Sequence, residues 1–447
     1  MNNINNITSG NINKSLLKLS LPLITTAFIQ VAYNFVDMIY LGRISTEAVA
    51  GAGIAFFVFW FAISLSIIPK VGMGVFASRA YGSNNKKETV KVIHNGLVLA
   101  AIIGLLYTLF IFMFGDSFID IFKLSSKSNG FAKDYLFFSG FGIILFIINP
   151  GISQAFIAIG DPLIPFTFNT IGAIINIILD PIIIFGLGSF KGLGVKGAAL
   201  ATGIGQLLVF MGFLIIILKR NGIIKKAFER SEYEYRWIRD IFMLGLPAGV
   251  LSGFQHIVTI ILNGYTSRFG DIAVAVSSIG HQIESITWNT TDAIQMAIQS
   301  LIGQNYGLGN KTRIKDAVRA SLRLTIFIGI MSGAILILYR ESLMKIFIPS
   351  DNETINLGMK YLSIASVSQV FFSAESGSTG VFNGLMDSKT PSIVGLVFNF
   401  LKIPLSLILM KNLGVEGIWI SITITTIIKG LLDVILIKNK CRILLKK

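Results

Sequence analysis

The chain is poor in charged residues and nearly devoid of cysteine and histidine. Only 14% of its 447 residues are charged, against about 25% in soluble domains, and 53% are hydrophobic. The single cysteine, Cys441, cannot form an intramolecular disulfide or a thiolate metal cluster. The three histidines are far apart in sequence and lack the spacing of a zinc site. The composition excludes a soluble domain and predicts an all-α polytopic membrane protein.

Sequence motifs of ATP-driven pumps and membrane enzymes are also missing. The chain contains no GxxxxGK[ST] phosphate-binding loop and no nucleophile motif, and its loops are short and poor in histidine. The polar start, MNNINNITSGNINK, lacks the basic beginning and cleavage site of a signal peptide. We therefore expect neither an enzyme nor a cofactor, apart from Na⁺ or H⁺ as a coupling ion.

Long apolar runs predict twelve transmembrane helices. A window of about 20 residues, the length that crosses a bilayer, separates the runs. The predicted spans are 15–42, 48–80, 89–114, 131–158, 163–187, 195–218, 238–267, 272–305, 314–340, 355–385, 390–410 and 415–437.

The net charge of +15 follows the predicted membrane topology. Most lysines and arginines lie at the two ends of the chain and in the even-numbered connections, which share one side of the membrane. The positive-inside rule predicts that this side, with both termini, faces the cytoplasm. We expect the protein to lie in the plasma or inner membrane. Contact with anionic lipids explains the basic loops, so no nucleic-acid partner is expected.

The chain matches itself when it is shifted by 225 residues. The shift aligns Leu21-Pro22 with Leu246-Pro247 and Tyr81-Gly82 with Tyr306-Gly307, and a shift of 220 aligns Leu193-Gly194-Val195 with Leu413-Gly414-Val415. Each repeat contains six helices, and because six is an even number both repeats begin on the same side of the membrane. The two halves are therefore parallel and related by a pseudo-two-fold axis along the membrane normal. We expect six-helix lobes at 1–218 and 238–447, a basic cytoplasmic linker at 219–237, and a monomer.

A polar stripe follows the first predicted helix. Gln30, Tyr33 and Asp37 recur at helical spacing, and Asn34 lies beside them. A carboxylate at membrane depth costs about 3 kcal/mol or more unless it is paired, protonated or hydrated. The stripe predicts an ion or proton site at Asp37, and the alternative is a carboxylate that reaches the outer membrane surface.

Predicted helices 5 and 6 place further oxygen-bearing side chains at a similar depth. Asn176 and Asp180 are four residues apart on one face, and Thr202 lies about two turns from the outer start of helix 6. Two carboxylates with amide and hydroxyl oxygens suit a small hard cation. They equally suit a carboxyl pair that shares a proton, and the sequence leaves both possibilities open.

Other polar residues inside the predicted helices are candidates for a substrate cleft. Glu375 is expected to attract organic cations, with Lys402 as a candidate partner. The full set of cleft candidates is Gln30, Tyr33, Asn34, Asn149, Gln154, Gln255, Glu284 and Glu375.

Four segments together resemble the multidrug and toxic compound extrusion (MATE) family. They are LPLITTAFIQVAYNFVDMIYLGRISTEAVA, SRAYGSNN, AIGDPLIP and IGQNYGLGN. The resemblance implies a V-shaped, two-lobed fold that exports small amphiphilic or cationic organic compounds in exchange for Na⁺ or H⁺ by alternating access. One branch of the family has a cation site in the first lobe, which Asp37, Asn176, Asp180 and Thr202 would form here, with Tyr33 nearby. A flippase for a lipid-linked saccharide or another lipid is the alternative.

Overall fold

The computed structural model describes residues 7–229, 233–349 and 351–446, without the side chains of residues 34, 38, 42, 46 and 444–446. The helices of the first half are α1 (Ile12–Ile44), α2 (Thr46–Gly82), α3 (Lys86–Asp120), α4 (Ser126–Ala158), α5 (Leu163–Phe185), α6 (Val195–Lys219) and α7 (Ile223–Glu229). Those of the second half are α8 (Tyr235–Thr266), α9 (Asp271–Gly307), α10 (Lys311–Leu338), α11 (Arg340–Phe347), α12 (Asn352–Gly384), α13 (Lys389–Leu413) and α14 (Val415–Lys446). A hairpin of two strands with two residues each, β1 (Gly186–Leu187) and β2 (Phe190–Lys191), joins α5 to α6. A 3₁₀ turn at Ser267–Phe269 follows α8.

The twelve long helices in the described ranges correspond one for one to the twelve predicted spans. Ten of them are long and apolar enough to cross a membrane; α9 and α12 are as long but carry more polar side chains. Two helices run at least six residues beyond their predicted ends, since α3 continues to Asp120 and α14 to Lys446. The predicted linker contains a short helix, α7, in its described part.

Corresponding helices of the two halves start with the same kind of residue, either a capping asparagine or a glycine. The side chain of Asn85 accepts a hydrogen bond from the amide of Glu88 at 3.1 Å, and Asn310 accepts one from Arg313 at 3.0 Å. These caps satisfy amides that have no partner inside the helix. Gly194 before α6 and Gly414 before α14 adopt φ values of 57° and 58°, which favour glycine. The internal repeat of the sequence is therefore present in the local structure.

The chain divides into two compact units whose borders cut through α1 and α8. We call Thr25–Gly249 the first unit, and the chain up to Ile24 together with Val250–Lys447 the second unit. Each border lies two residues after a helix proline, Pro22 in α1 or Pro247 in α8. The N-terminal part of α1 therefore belongs to the second unit, and the N-terminal part of α8 to the first. The division into six-helix lobes at 219–237 stays a prediction.

Glycines bring the backbones of α2 and α8 together in the first unit. A Cβ atom on Gly72 would lie 2.1 Å from the carbonyl oxygen of Ile241. A Cβ atom on Gly245 would lie 1.9 Å from the carbonyl oxygen of Ile68. Close approach of this kind is the usual role of small residues between membrane helices. The contact fixes the N-terminal part of α8 against α2.

Each unit is packed around one central helix. In the first unit α4 packs on α2, α3 and α6, and in the second unit α12 packs on α9, α10 and α14. Both central helices consequently bury many small and polar side chains as well as apolar ones. Helix α4 places Tyr135 in the interior of the first unit, and α12 places Glu375 beside Lys429 in the second unit.

Candidate ion-coupling site

The polar stripe of α1 and the polar face of α5 contribute buried side chains to the interior of the first unit. Asp37 of α1 is 3% exposed, Asn176 of α5 is 3% exposed and Asp180 of α5 is fully buried. The two carboxyl groups are close enough to interact electrostatically. The structure therefore brings together the two acids that helical spacing and depth had predicted.

Hydroxyl groups connect α1 to α6 beside these acids. The hydroxyl of Tyr33 and that of Thr202 share a hydrogen bond at 3.4 Å. Thr202 can also donate to the carbonyl oxygen of Ala198 in its own helix at 3.1 Å. Tyr33 lies near both Asp37 and Asp180. The predicted set of one amide, one hydroxyl and two carboxyl groups, with Tyr33 nearby, is therefore gathered in one place.

Four buried oxygen atoms of this group have no hydrogen-bond partner among the described residues. They are both carboxyl oxygens of Asp180, Oδ1 of Asp37 and Oδ1 of Asn176. A buried carboxylate without a donor is costly unless a cation or a proton compensates it. Carboxylate and amide oxygens are the donor set of a hard cation, so these residues fit Na⁺. They fit a bound proton equally well.

Close packing of α5 on α6 positions Asn176. A Cβ atom on Gly205 would lie 3.5 Å from Cβ of Asn176, and one on Gly172 would lie 2.3 Å from Cγ2 of Val209. The absence of side chains at the two glycines lets the helices approach closely. The amide of Asn176 thereby reaches the α6 surface, one turn from Thr202.

Tyr135 of α4 belongs to this site, and the sequence analysis missed it. The residue is 1% exposed, and its side chain interacts with Asp37, Asp180 and Thr202. Its ring contacts that of Phe56, with centroids 5.7 Å apart. In the sequence it lies in an aromatic run, YLFF, which is indistinguishable from ordinary core or lipid-facing residues. Only the packing of α4 beside α2 and α6 identifies its role.

The other cleft candidates of the first unit lie in different surroundings. Gln30 is exposed, and the side chain of Asn34 lies outside the described residues. Asn149 is buried and donates to the backbone oxygen of Gln206 at 3.0 Å and to its Oε1 at 2.8 Å. Gln154 is 1% exposed, and its amide has no hydrogen-bond partner in the described ranges. Their assignment to a substrate cleft stays a prediction.

The second unit contains its own buried polar groups. Gln255 is exposed, whereas Glu284 is buried and accepts hydrogen bonds from the hydroxyl of Tyr361 at 2.6 Å and the amide of Gln369 at 2.7 Å. Glu375 forms an ion pair at 2.7 Å. Its partner is Lys429 of α14 and not the expected Lys402, which instead donates to Asn399 of its own helix at 2.9 Å. Cleft roles for Gln255, Glu284 and Glu375 also stay predictions.

Twelve long helices in a duplicated order, with uncompensated carboxyl groups buried inside them, define a polytopic membrane transporter. The family model described as MatE matches this chain twice, over residues 22–182 and 247–408. The two matches begin at the helix prolines Pro22 and Pro247 and so follow the internal repeat. The chain belongs to the MATE family of multi-pass membrane transporters, and it is not an enzyme.

Curated relatives match the chain over nearly its whole length. It is 27% identical over 437 residues to a probable multidrug resistance protein NorM of Thermotoga maritima, which covers 95% of this chain and 92% of the relative. It is 24% identical over 442 residues to an FAD transporter of Shewanella oneidensis, with 97% and 96% covered.

A solved structure confirms the all-helical fold. The outward-facing conformation of a multidrug resistance MATE family transporter superposes with a TM-score of 0.93 and covers all of both chains at 21% identity.

Proposed function

We propose that this protein is a cation-coupled antiporter whose coupling ion binds in the first unit at Asp37, Asn176, Asp180 and Thr202. The observation that supports the proposal is the buried pair Asp37 and Asp180, whose free oxygens need a positive charge. In the described part of the chain neither acid forms an ion pair with lysine or arginine. An external cation is therefore the available compensation, and its arrival and departure change the charge of the site.

Binding and release of that cation would change how α1, α5 and α6 pack. With the cation bound, the oxygens of Asp37 and Asp180 are held together by a shared charge. Without it, two like charges in a medium of low dielectric repel each other. Tyr33, which shares a hydrogen bond with Thr202, would transmit such a change from α1 to α6. Alternating access needs a coupling of this kind between ion binding and helix position.

The expected cargo is a small amphiphilic or cationic organic compound. The relatives described as multidrug proteins support this class, and the buried acids give the chain the negative groups that attract organic cations. Exchange would take place across the plasma or inner membrane, with both termini in the cytoplasm and with the protein as a monomer.

A transport assay in proteoliposomes tests the coupling. Efflux of a fluorescent organic cation is measured under an imposed Na⁺ gradient and then under an imposed pH gradient. We expect one gradient to drive efflux in the wild type and Asp37→Asn to abolish the gradient-driven part. Asp134→Asn is the matched control, because Asp134 is a partly exposed acid of the same unit, paired with Lys196 at 3.3 Å. Equal rates for wild type and Asp37→Asn would refute the assignment.

A lipid flippase is the alternative function, and the same vesicles test it. A basic, accessible cleft would favour a lipid-linked saccharide. The buried Lys429 of the second unit is neutralised by Glu375, which weakens that possibility. Transbilayer movement of a fluorescent lipid-linked saccharide by the wild type, without any efflux of organic cations, would replace the antiporter by the flippase.

A further inference from the structure

A buried ion pair crosses from α12 to α14 in the second unit. Nζ of Lys429 lies 2.7 Å from Oε1 of Glu375, and the two side chains are 7% and 15% exposed. The helices touch closely at this level, because a Cβ atom on Gly430 would lie 2.4 Å from the carbonyl oxygen of Phe371. Glu375 lies one turn beyond Phe371, so the close approach places it beside Lys429.

A third ionisable group lies one turn further along α14. Asp433 is 1% exposed, and neither of its carboxyl oxygens has a hydrogen-bond partner among the described residues. Oε2 of Glu375 is likewise buried without a partner. Asp433 interacts electrostatically with both Glu375 and Lys429. The three side chains form what we call the α12–α14 triad: Glu375, Lys429 and Asp433.

The neighbouring helices leave the charge of this triad unbalanced. Helix α13 contributes Lys402, which interacts with Lys429, Glu375 and Glu284. Helix α9 contributes Glu284 and the imidazole of His281, and α12 adds the hydroxyl of Tyr361. Among the carboxyl and ammonium groups that interact with one another here, Glu375, Asp433 and Glu284 are carboxyl groups, and Lys429 and Lys402 are ammonium groups. In this set the carboxyl groups outnumber the ammonium groups by one, an imbalance that is costly at membrane depth.

The corresponding positions of the first half are apolar. The alignment that places Val195 on Val415 also places Val209 on Lys429 and Phe213 on Asp433. Phe213 is fully buried, and its ring contacts those of Phe156 and Phe168 at 6.0 Å and 5.6 Å. Hydrophobic packing at this place is therefore compatible with the fold. Because a buried ion pair seldom stabilises a protein more than such packing does, the charges of the second half require a functional explanation.

We propose that the α12–α14 triad is a second ion site that binds one proton, shared between Glu375 and Asp433, with Lys429 as a tethered counter-ion. When the proton forms an O–H bond on Glu375, the ammonium of Lys429 pairs with Asp433. When the proton moves to Asp433, the ammonium returns to Glu375, the arrangement seen here. A metal cation would have to bind next to the ammonium and be repelled by it, whereas a proton neutralises one carboxylate without approaching it.

Infrared spectroscopy of the protonated carboxyl group tests the proposal directly. The protein carries Asp37→Asn and Asp180→Asn in all samples, so that the first-unit site contributes no signal and the result is independent of the function proposed above. Removing either acid of the triad leaves one carboxylate and one ammonium, which need no proton. We therefore expect Asp433→Asn and Glu375→Gln each to lose the triad's protonated-carboxyl band at neutral pH.

Removal of the lysine should have the opposite effect. In Lys429→Met two carboxyl groups face no tethered cation, so the band should increase about twofold. The double variant Lys429→Met with Glu375→Gln keeps Asp433 alone, and we expect it to retain a band of about wild-type size. It serves as the second measurement if Lys429→Met does not fold. Asp134→Asn is the control and should leave the spectrum unchanged.

Three results would overturn the proposal. The band could persist in both Asp433→Asn and Glu375→Gln. A second such result is a band that does not increase in Lys429→Met and is absent from the double variant Lys429→Met with Glu375→Gln. The band could also be absent from the parent protein in Na⁺ and present only without Na⁺, which would identify a metal site.

Discussion

Arg220 and Asp161 form an ion pair at 2.6 Å that joins the end of α6 to the loop before α5. The second half has the same arrangement, where Lys440 of α14 pairs with Asp387 in the loop before α13. Asp387 is the repeat counterpart of Asp161. In each unit one ion pair thus fixes the loop that follows the central helix to the last helix of the repeat.

The pair at Asp387 should make stability depend on pH. Partial burial raises the pKa of Asp387, but hydrogen bonds from Lys440 and Thr390 together lower the pKa below its ordinary value of 3.8. A lowered folded-state pKa adds stability above the unfolded value, and this stability is lost as the pH falls through the folded value. At neutral pH we expect Asp387→Asn to unfold about 1 kcal/mol more easily than the wild type. Thermal unfolding in detergent should show this gap closing below about pH 4; parallel curves at all pH values would contradict it.

Asp37 and Asp180 should behave as one functional unit. Residues that serve the same ion are not additive, because loss of either one already prevents binding. We expect Asp37→Asn, Asp180→Asn and the double variant to lose similar shares of gradient-driven efflux. Initial rates in proteoliposomes, normalised to the amount of folded protein, measure this. Losses that multiply in the double variant would show that the two acids act separately.

Gly245 should be intolerant of even one added methyl group. Its Cβ would lie 1.9 Å from the backbone oxygen of Ile68, and backbone atoms cannot move aside as a side chain can. Overpacking of this kind costs about 1–3 kcal/mol or more, so Gly245→Ala should lower the melting temperature or the folded yield. Gly53→Ala in α2 is the matched control, because no atom lies within 4 Å of its Cβ position. We expect the control to be neutral or slightly stabilising; similar melting temperatures for both variants would show that α2 and α8 are not in backbone contact.

Arg313 of α10 should hold the segment before α1 in place within the second unit. Its guanidinium donates to the carbonyl oxygens of Gly10, Ser9 and Ile7 at 2.7, 2.8 and 3.0 Å, and the side chain of Ile7 is 2% exposed. In Arg313→Ala we expect a broad-specificity protease to remove this segment several-fold faster, since cleavage requires local opening.

Arg319→Ala is the control for this experiment. Arg319 is an exposed arginine of the same helix, 3.5 Å from Asp316. Equal cleavage rates in the two variants would show that Arg313 does not anchor the segment.

Helix existence, order and the acid pair of the first unit could all be predicted from the sequence. Apolar length identifies a membrane helix, and a carboxylate on a polar stripe is rare enough to stand out. Helix ends were predicted less well: α14 continues to Lys446 because nothing in its last turns breaks a helix.

Partners across helices were much harder to predict. Tyr135 looks like any other aromatic residue until α4 is placed beside α6. The sequence suggested Lys402 as the partner of Glu375, whereas the structure pairs Glu375 with Lys429. The close contact of α12 with α14 at Gly430 places Lys429 beside Glu375. The hydrophobic periodicity of a single helix does not show which distant helix will pack on it.

The borders that cut α1 and α8 affect how this chain could be made in pieces. A gene split in the linker would yield two fragments of six long helices each. Each fragment would begin with a helix whose N-terminal part packs in the other fragment's unit. Neither fragment would then have a complete interior, and the contacts of Gly72 with Ile241 and of Gly245 with Ile68 would form only when both were present. The two pieces should therefore be unstable when synthesised singly and should reconstitute a protein when co-expressed, so the duplicated halves are no longer separable proteins.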